Sequence, residues 1–203
     1  MKITLQNTGK KYNYHWIFRH LDAEFSAPGH YGVLGSNGSG KSTLLKVLSG
    51  ILTPSEGEIT WQYRQKNISE QVFRFAGIVS PHLELIEEFT LEETLRFHQQ
   101  FRPILPGESI GSIMKISGLG KSNHKPLKNF SSGMKQRVKI LLAIMYENPL
   151  ILLDEPCSNL DQDAVAWYQS LVEKYAGNSI MVVGSNDKET ECFSCSSFLN
   201  LSL

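Results

Sequence analysis

The feature that most constrains this chain is a glycine-rich run, Gly35-Ser36-Asn37-Gly38-Ser39-Gly40-Lys41-Ser42-Thr43. It fits the pattern G-x-x-x-x-G-K-[ST] and lies between a short apolar run at 31–34 and a segment at 42–49 with helical spacing. Glycines let the backbone turn tightly and direct successive N–H groups at phosphate oxygens, and a helix N-terminus adds partial positive charge. The run therefore predicts a site for nucleotide phosphates, formed by all of its residues.

Two side chains in this run have distinct expected roles. Lys41 should bridge the β- and γ-phosphates of the nucleotide, and the hydroxyl of Ser42 should ligate Mg²⁺. A structural turn without function is a poor alternative, because average glycine usage would produce the pattern by chance in about 1% of chains of this length. The strand-loop-helix setting lowers that fraction further.

A second motif, Leu150-Ile151-Leu152-Leu153-Asp154-Glu155, is an apolar strand that ends in two carboxylates. The unbroken apolar run is typical of a parallel strand covered on both faces. Asp154 suits a Mg²⁺ site, commonly through water, and Glu155 suits the base that polarises the attacking water. A strand ending in Asp-Glu is often only a solvated edge, but a phosphate loop in the same chain favours function.

The order of the remaining segments predicts an α/β fold with a mainly parallel sheet. Alternating apolar residues in the first 30 positions predict an N-terminal antiparallel β subdomain, and later strands alternate with helices. Strands are expected at 31–34, 58–63, 75–79, 150–153, 179–183 and 198–201, and helices at 42–49, after 131–133 and at 161–174, with a mostly helical stretch at 90–119. Thr90 and Glu93 fit a capping box that opens this stretch. We expect one domain over 1–203 with a helical insertion at about 82–129.

Gly35, Asp154 and Ser185 each follow an apolar run directly. The carboxyl ends of neighbouring strands in an open parallel sheet share one crevice, where ligands bind. The phosphate loop, the carboxylates and the segment after Ser185 are therefore expected at one site.

Composition and charge exclude several classes of protein. Lysine plus arginine equals aspartate plus glutamate at 20 each, so the formal net charge is zero and no nucleic-acid partner is expected. The longest apolar run, 140–146, is far shorter than the roughly 20 residues of a membrane span. The N-terminus lacks the apolar core of a signal peptide, which predicts a cytoplasmic protein.

Three cysteines, Cys157, Cys192 and Cys195, suit a reducing compartment. Cys192 and Cys195 form a C-x-x-C pair, for which redox chemistry or half of a zinc site are the alternatives. The chain has no second pair, so ordinary reduced thiols are the favoured interpretation.

Taken in order, these motifs resemble the ABC (ATP-binding cassette) ATPases, a family of P-loop NTPases, over essentially the full chain. Lys10-Lys11-Tyr12 resembles the aromatic loop that stacks on adenine, with Tyr14, Trp16 and Phe18 as rivals for Tyr12. The run from 129 to 137, Asn-Phe-Ser-Ser-Gly-Met-Lys-Gln-Arg, resembles the family signature. Ser158-Asn159-Leu160-Asp161 resembles the D-loop.

The resemblance implies an ATPase that binds ATP and Mg²⁺ and is completed by dimerisation. In the family the signature faces the nucleotide held by the other protomer, which assigns Ser131, Ser132 and Gly133 to that contact. A structural helix N-cap is the alternative for these residues, and the two roles are compatible. The implied partner is a second cassette, in a homodimer or a heterodimer.

The sequence departs from the family pattern at three positions. Ser132 stands where the signature has its first glycine. Ser80-Pro81-His82 stands where a glutamine is usual after the strand ending at Val79. Asn186 stands at the position of the switch histidine, and we expect it to position the γ-phosphate while hydrolysis is slow.

The commonest role for a lone cassette of this size is to power a transporter from the cytoplasmic face of the membrane, together with a separate multi-span membrane subunit. The insertion, with Leu83, Leu85, Ile86, Glu87 and Glu88, would form the docking surface; a solvated helix edge is the alternative. Two other classes are a soluble cassette acting in translation or DNA repair and a regulatory cassette that binds ATP with little hydrolysis. No second cassette, long linker or basic surface supports the former, and Lys41 and Glu155 argue against the latter.

Overall fold

The structure is a computed structural model that describes residues 1–201. Its strands are β1 (Lys2–Tyr12), β2 (His15–Ser26), β3 (Gly29–Leu34), β4 (Glu56–Tyr63), β5 (Lys66–Asn67), β6 (Ala76–Val79), β7 (Leu150–Asp154), β8 (Ile180–Ser185) and β9 (Ser197–Asn200). Its α-helices are α1 (Lys41–Leu48), α2 (Leu91–Gln99), α3 (Ile110–Ile116), α4 (Ser132–Ile144) and α5 (Gln162–Tyr175).

The N-terminal strands form an antiparallel sheet in the order β2-β1-β4-β5, as predicted. Alternation of apolar residues along β1 buries Ile3 and Leu5, and Phe25 of β2 pairs with Ile3. β4 begins at Glu56, two residues earlier than expected, because that residue pairs with Gly9 of β1. The sheet covers one side of the phosphate-loop helix.

The second sheet is parallel, in the order β6-β7-β8-β3-β9. All five residues of β7 are buried, as its unbroken apolar sequence predicts for a strand covered on both faces. β3 lies between β8 and β9, and β8 lies between β7 and β3, so the carboxyl ends of β7, β8 and β3 lie side by side. The predicted fold class is confirmed.

The insertion is less helical than the sequence predicted. The capping box of Thr90 and Glu93 is present and opens α2, but the helix ends at Gln99 and α3 begins only at Ile110. Pro103, and Pro106 followed by Gly107 (φ +85°), separate the two helices. Residues 82–89 form loop and turn, so the predicted helical character of 82–129 was wrong for its first part.

None of the helices in residues 1–201 combines the length and the apolarity needed to cross a bilayer. The three cysteines are free thiols. Cys192 is buried in the core between the parallel sheet and the helices, and Cys157 and Cys195 pack against that core.

Candidate nucleotide site

The phosphate loop leaves β3 at Leu34 and enters α1 at Lys41. Gly40, the residue before α1, has a φ of +100°, and a Cβ there would approach Ile17 Cγ2 to 2.4 Å. A Cβ on Gly38 would meet nothing within 4 Å. The loop is thus packed on one side and open on the other, and only glycine fits position 40 without strain.

Lys41 points back into the loop. It is 5% exposed, and its Nζ donates to the carbonyl oxygens of Gly35 (2.7 Å) and Ser36 (3.1 Å) and to Oδ1 of Asn186 (2.7 Å). An ammonium group offers three donors, and all three are taken by the loop and its neighbour. The positive charge therefore sits at the centre of the loop, where phosphate oxygens can replace these acceptors.

The open side of the loop fits a phosphate chain. A cavity of about 240 Å³ lies over it, lined among others by Asn37, Thr43 and Glu155. The hydroxyl of Ser39 is buried and has no hydrogen-bond partner within residues 1–201. A buried polar atom without a partner is costly in a folded chain and is commonly explained by a ligand or water.

Asp154 ends β7 beside the first turn of α1. Burial raises the pKa of its carboxyl group, and a hydrogen bond with Ser42 and the charge of Lys41 act in the opposite direction. A hydroxyl and a carboxylate at one edge of a sheet form an oxygen donor set of the kind Mg²⁺ prefers. The predicted metal residues are therefore brought together and fit that ion.

Glu155 adopts a left-handed backbone conformation with a φ of +47°, which is uncommon for a residue with a side chain. Its N–H donates to the carbonyl oxygen of Gly184 (2.9 Å), and Gln136 Nε2 donates to the carbonyl oxygen of Pro156 (2.8 Å). These two bonds fix the turn after β7. The turn leaves the half-buried Glu155 on the wall of the phosphate-loop cavity.

Asn186 follows β8 and contacts the phosphate loop directly. Its Oδ1 accepts from Lys41 and its Nδ2 donates to Oδ1 of Asn37 (2.5 Å). The side chain is exposed. The expected convergence of the segment after Ser185 with the loop is observed.

Tyr12 does not line this cavity. It ends β1, pairs with His15 across the hairpin and is 47% exposed, with Lys10 Nζ 5.6 Å from its ring centre. Ile17 of β2 lines the cavity instead, next to Gly40. Sequence reasoning missed Ile17, because nothing in the alternation of β2 distinguishes it from other partly buried residues.

The signature residues lie in a different cavity of the same chain. Ser131 caps α4 by accepting from the N–H of Met134 (3.2 Å), and Ser132 is exposed. A Cβ on Gly133 would lie 2.7 Å from the carbonyl oxygen of Asn159, so only glycine permits this contact with the D-loop segment. The cavity of about 330 Å³ at these residues shares no lining residue with the phosphate-loop cavity.

The residues at the position of the missing glutamine lie near the metal residues. A cavity of about 230 Å³ is lined by Ser80 and His82 together with Ser42 and Asp154. Lys139 of α4 donates to the carbonyl oxygen of Ser80 (3.2 Å), and burial lowers the pKa of its ammonium group. The bond from Lys139 therefore holds the backbone at Ser80 next to the predicted metal residues.

Comparisons with known proteins identify the family of this chain. Residues 18–158 match the ABC transporter family. The uncharacterized ABC transporter ATP-binding protein YybJ of Bacillus subtilis is 31% identical over 92% of this chain and 86% of its own length. The cytochrome c biogenesis ATP-binding export protein CcmA of Cupriavidus pinatubonensis is 30% identical over 82% of this chain and 75% of its own length.

Solved structures show the same fold. An ATP-binding subunit of an ABC transporter superposes with a TM-score of 0.83 at 24% identity, covering 98% of this chain and 85% of that one. A dimeric ATP-binding cassette in a post-hydrolysis state, bound to ADP and phosphate, superposes with a TM-score of 0.83 at 22% identity. The match covers 98% of this chain and 94% of that one.

Proposed function

The chain belongs to the ABC transporter family of ATP-binding subunits, and we propose that it binds Mg-ATP and hydrolyses it to power a transporter. The observation that carries the proposal is the convergence of Lys41, Asp154, Glu155 and Asn186 at the carboxyl ends of three adjacent parallel strands. Phosphoryl transfer needs positioning and charge stabilisation more than covalent chemistry. These four side chains supply both.

Each residue has a defined part in the proposed reaction. The N–H groups of the loop and the Lys41 ammonium bind the phosphates and offset the charge that grows in the transition state. Ser42 and Asp154 would hold Mg²⁺, which neutralises phosphate charge when bound. Glu155 accepts the proton of the attacking water. Asn186, already bonded to Lys41, orients the γ-phosphate through its amide.

Hydrolysis is favoured over the regulatory alternative. The usual glutamine and histidine are replaced, which would permit a cassette that binds ATP with little turnover. The lysine and both carboxylates are retained, however, and Glu155 is held in a strained conformation on the cavity wall. Strain of this kind persists where the surrounding structure enforces it, often at functional sites.

The site is completed by a second cassette, in a homodimer or a heterodimer. The phosphate-loop cavity and the signature cavity of one chain are separate. The signature cavity offers the capped N-terminus of α4, with Ser132 exposed, which suits contact with an anion held by another chain. The proposed assembly holds ATP between the loop of one protomer and the signature of its partner.

A multi-span membrane subunit is the proposed second partner, bound on the cytoplasmic face. An apolar groove of about 290 Å³ lies between residues 83–89 and α2, lined by Leu83, Ile86 and Phe97, which are each about two-fifths exposed (39%, 41% and 45%). Phe101, 69% exposed, extends the aromatic row from Phe97. An exposed apolar patch of this kind marks an interaction surface.

Co-purification tests the groove as the membrane-facing surface. The tagged wild-type chain, solubilised from membranes, should retain a multi-span protein that the Phe97→Ser variant loses. Phe73→Ser, at a 58% exposed phenylalanine outside the lining of the groove, is the matched control and should retain it. Equal recovery by both variants would remove the groove from the proposal.

The ATP-binding proposal is tested by isothermal titration with Mg-ATP. Lys41→Ala should weaken binding at least tenfold, because it removes the ammonium that faces the phosphates. Lys66→Ala, at an exposed position of β5 that lines neither the phosphate-loop cavity nor the cavity at Asp154, is the control and should bind like the wild type. An unchanged dissociation constant for Lys41→Ala would mean that the loop is not the nucleotide site.

A further inference from the structure

Glu191 is a buried carboxyl group outside the set of residues assigned to ATP. It is 6% exposed, in the turn that follows Asn186, and both of its carboxylate oxygens are bonded. Oε1 accepts from the backbone N–H of Cys157 (2.7 Å), and Oε2 accepts a short hydrogen bond from the hydroxyl of Ser185. A buried polar group is retained when it is hydrogen-bonded, and each oxygen of this carboxyl group accepts one bond.

These two bonds join the segments that carry the site. Ser185 precedes Asn186, and its Oγ also accepts from the N–H of Asp187 (2.8 Å), so it fixes the turn that holds the switch residue. Cys157 lies two residues after Glu155, in the turn after β7. Gln136 also holds this turn, through its bond to the carbonyl oxygen of Pro156. Glu191 is therefore the link between the turn after β7 and the turn after β8.

We propose that Glu191 is a positioning residue that holds Asn186 in register with Glu155 for hydrolysis. The inference rests on the proposed ATPase function. Glu191 does not line the phosphate-loop cavity, so it acts through the two segments and not on the nucleotide. Two hydrogen bonds from different segments to one buried carboxyl group fix the distance between those segments.

The surroundings of Glu191 act on the pKa of its carboxyl group in opposite directions. Burial raises the pKa of Glu191, and the hydrogen bonds from Ser185 and Cys157 act to lower it. Tyr168 donates its hydroxyl to the backbone carbonyl oxygen of Glu191 (3.1 Å), which anchors the turn to α5. The backbone of Glu191 is thus fixed by the core, and its carboxyl group is fixed by the two site segments.

Steady-state ATPase kinetics test the proposal. Glu191→Ala should lower kcat about tenfold while KM for ATP stays within about twofold, because alignment is lost and the phosphate loop is intact. Glu191→Gln, which keeps an acceptor for Cys157 N–H, should recover most of that loss. Glu189→Ala, at an exposed glutamate in the same turn, is the matched control and should match the wild type.

A double-mutant cycle separates positioning from general destabilisation. If Glu191 acts through Asn186, Glu191→Ala should lower kcat less than about threefold in the Asn186→Ala background. Equal fold losses in both backgrounds would overturn the proposal. If Glu191→Ala does not fold, Ser185→Ala replaces it in the same cycle with the same expected and contradicting results.

The outcome for Glu191 is distinguishable from that of the proposed function. Wild-type hydrolysis no faster than that of Lys41→Ala would overturn both. Normal wild-type hydrolysis with additive losses at Glu191 and Asn186 would overturn only the positioning role.

Discussion

Asn186 stands at the position where the family resemblance implies a histidine. Both polar atoms of its amide are engaged, one with Lys41 and one with Asn37. An amide supplies one acceptor and a donor group at a reach similar to that of imidazole, but it cannot change charge. Asn186 therefore keeps a contact with the phosphate loop. Its side chain cannot ionise, so it provides no pH control at this position.

Substitution of Asn186 tests this role. Asn186→Ala should lower the ATPase turnover rate about tenfold or more, the scale for loss of one hydrogen bond made in the transition state. Asn186→His should keep activity and add a dependence of the rate on pH between about 6 and 7, where imidazole titrates. The measurement is the steady-state ATPase rate of wild type, Asn186→Ala and Asn186→His across this pH range. Equal rates for wild type and Asn186→Ala would mean that Asn186 is only a loop residue.

For single residues, the sequence predicted the position of a side chain well where the residue directly follows a strand. The contact of Asn186 with Lys41 was expected, because the carboxyl ends of parallel strands share an edge. The place of Ile17 over the loop was not expected. That outcome depends on register shifts along β1 between Thr8 and Lys11, which no local pattern specifies.

Among the elements, α2 shows how burial changes the chemistry of one side chain. His98 packs edge-on against the ring of Tyr146, with ring centres 4.5 Å apart. Its Nε2 is buried without a hydrogen-bond partner within residues 1–201. Burial lowers the pKa of His98 to about 4, and the charge of Arg102 adds to the effect. The folded protein therefore keeps this imidazole neutral.

The low pKa of His98 predicts a loss of stability in acid. Between pH 6.5 and about 4 the unfolded chain binds a proton at this residue that the folded chain does not, so stability falls as pH falls through that window. His98→Phe keeps the aromatic contact and removes the titration. It should reduce the loss of unfolding free energy between about pH 7 and 5 by about 1 kcal/mol, after allowance for solvent screening.

Urea denaturation at the two pH values measures this difference. His15→Phe, at an exposed histidine of β2, is the control and should lose as much stability in acid as the wild type. Identical acid losses for His98→Phe and wild type would show that His98 titrates normally in the folded state.

Elements with a strong pattern were predicted well, and the insertion was not. The unbroken apolar run of β7 and the capping box at Thr90 each specify one local structure. In the insertion, two proline segments divide a sequence of helical composition. In residues 82–89, the carbonyl oxygens of Glu87 and Phe89 accept from the N–H groups of Lys128 and Leu127 and not from a helical turn. Tertiary packing of this kind overrides helix propensity.

For the whole molecule, the order of motifs was enough to predict an antiparallel subdomain beside a parallel sheet. The structure places β3 between β8 and β9, a strand order that the motifs alone do not specify. The sequence could not establish whether the signature meets the phosphate loop of its own chain, because that depends on the path of the insertion. The two cavities are separate, and the proposed site needs a second chain.

In the proposed mechanism, ATP joins two of these cassettes across a composite site. Glu155→Gln keeps the shape of the side chain and removes the base, so ATP should bind and remain unhydrolysed. Size-exclusion chromatography of this variant with Mg-ATP measures assembly directly. We expect a dimer with ATP, a monomer with ADP, and a monomer under both conditions when Lys41→Ala is added. A Glu155→Gln protein that stays monomeric with ATP at high protein concentration would contradict the composite site.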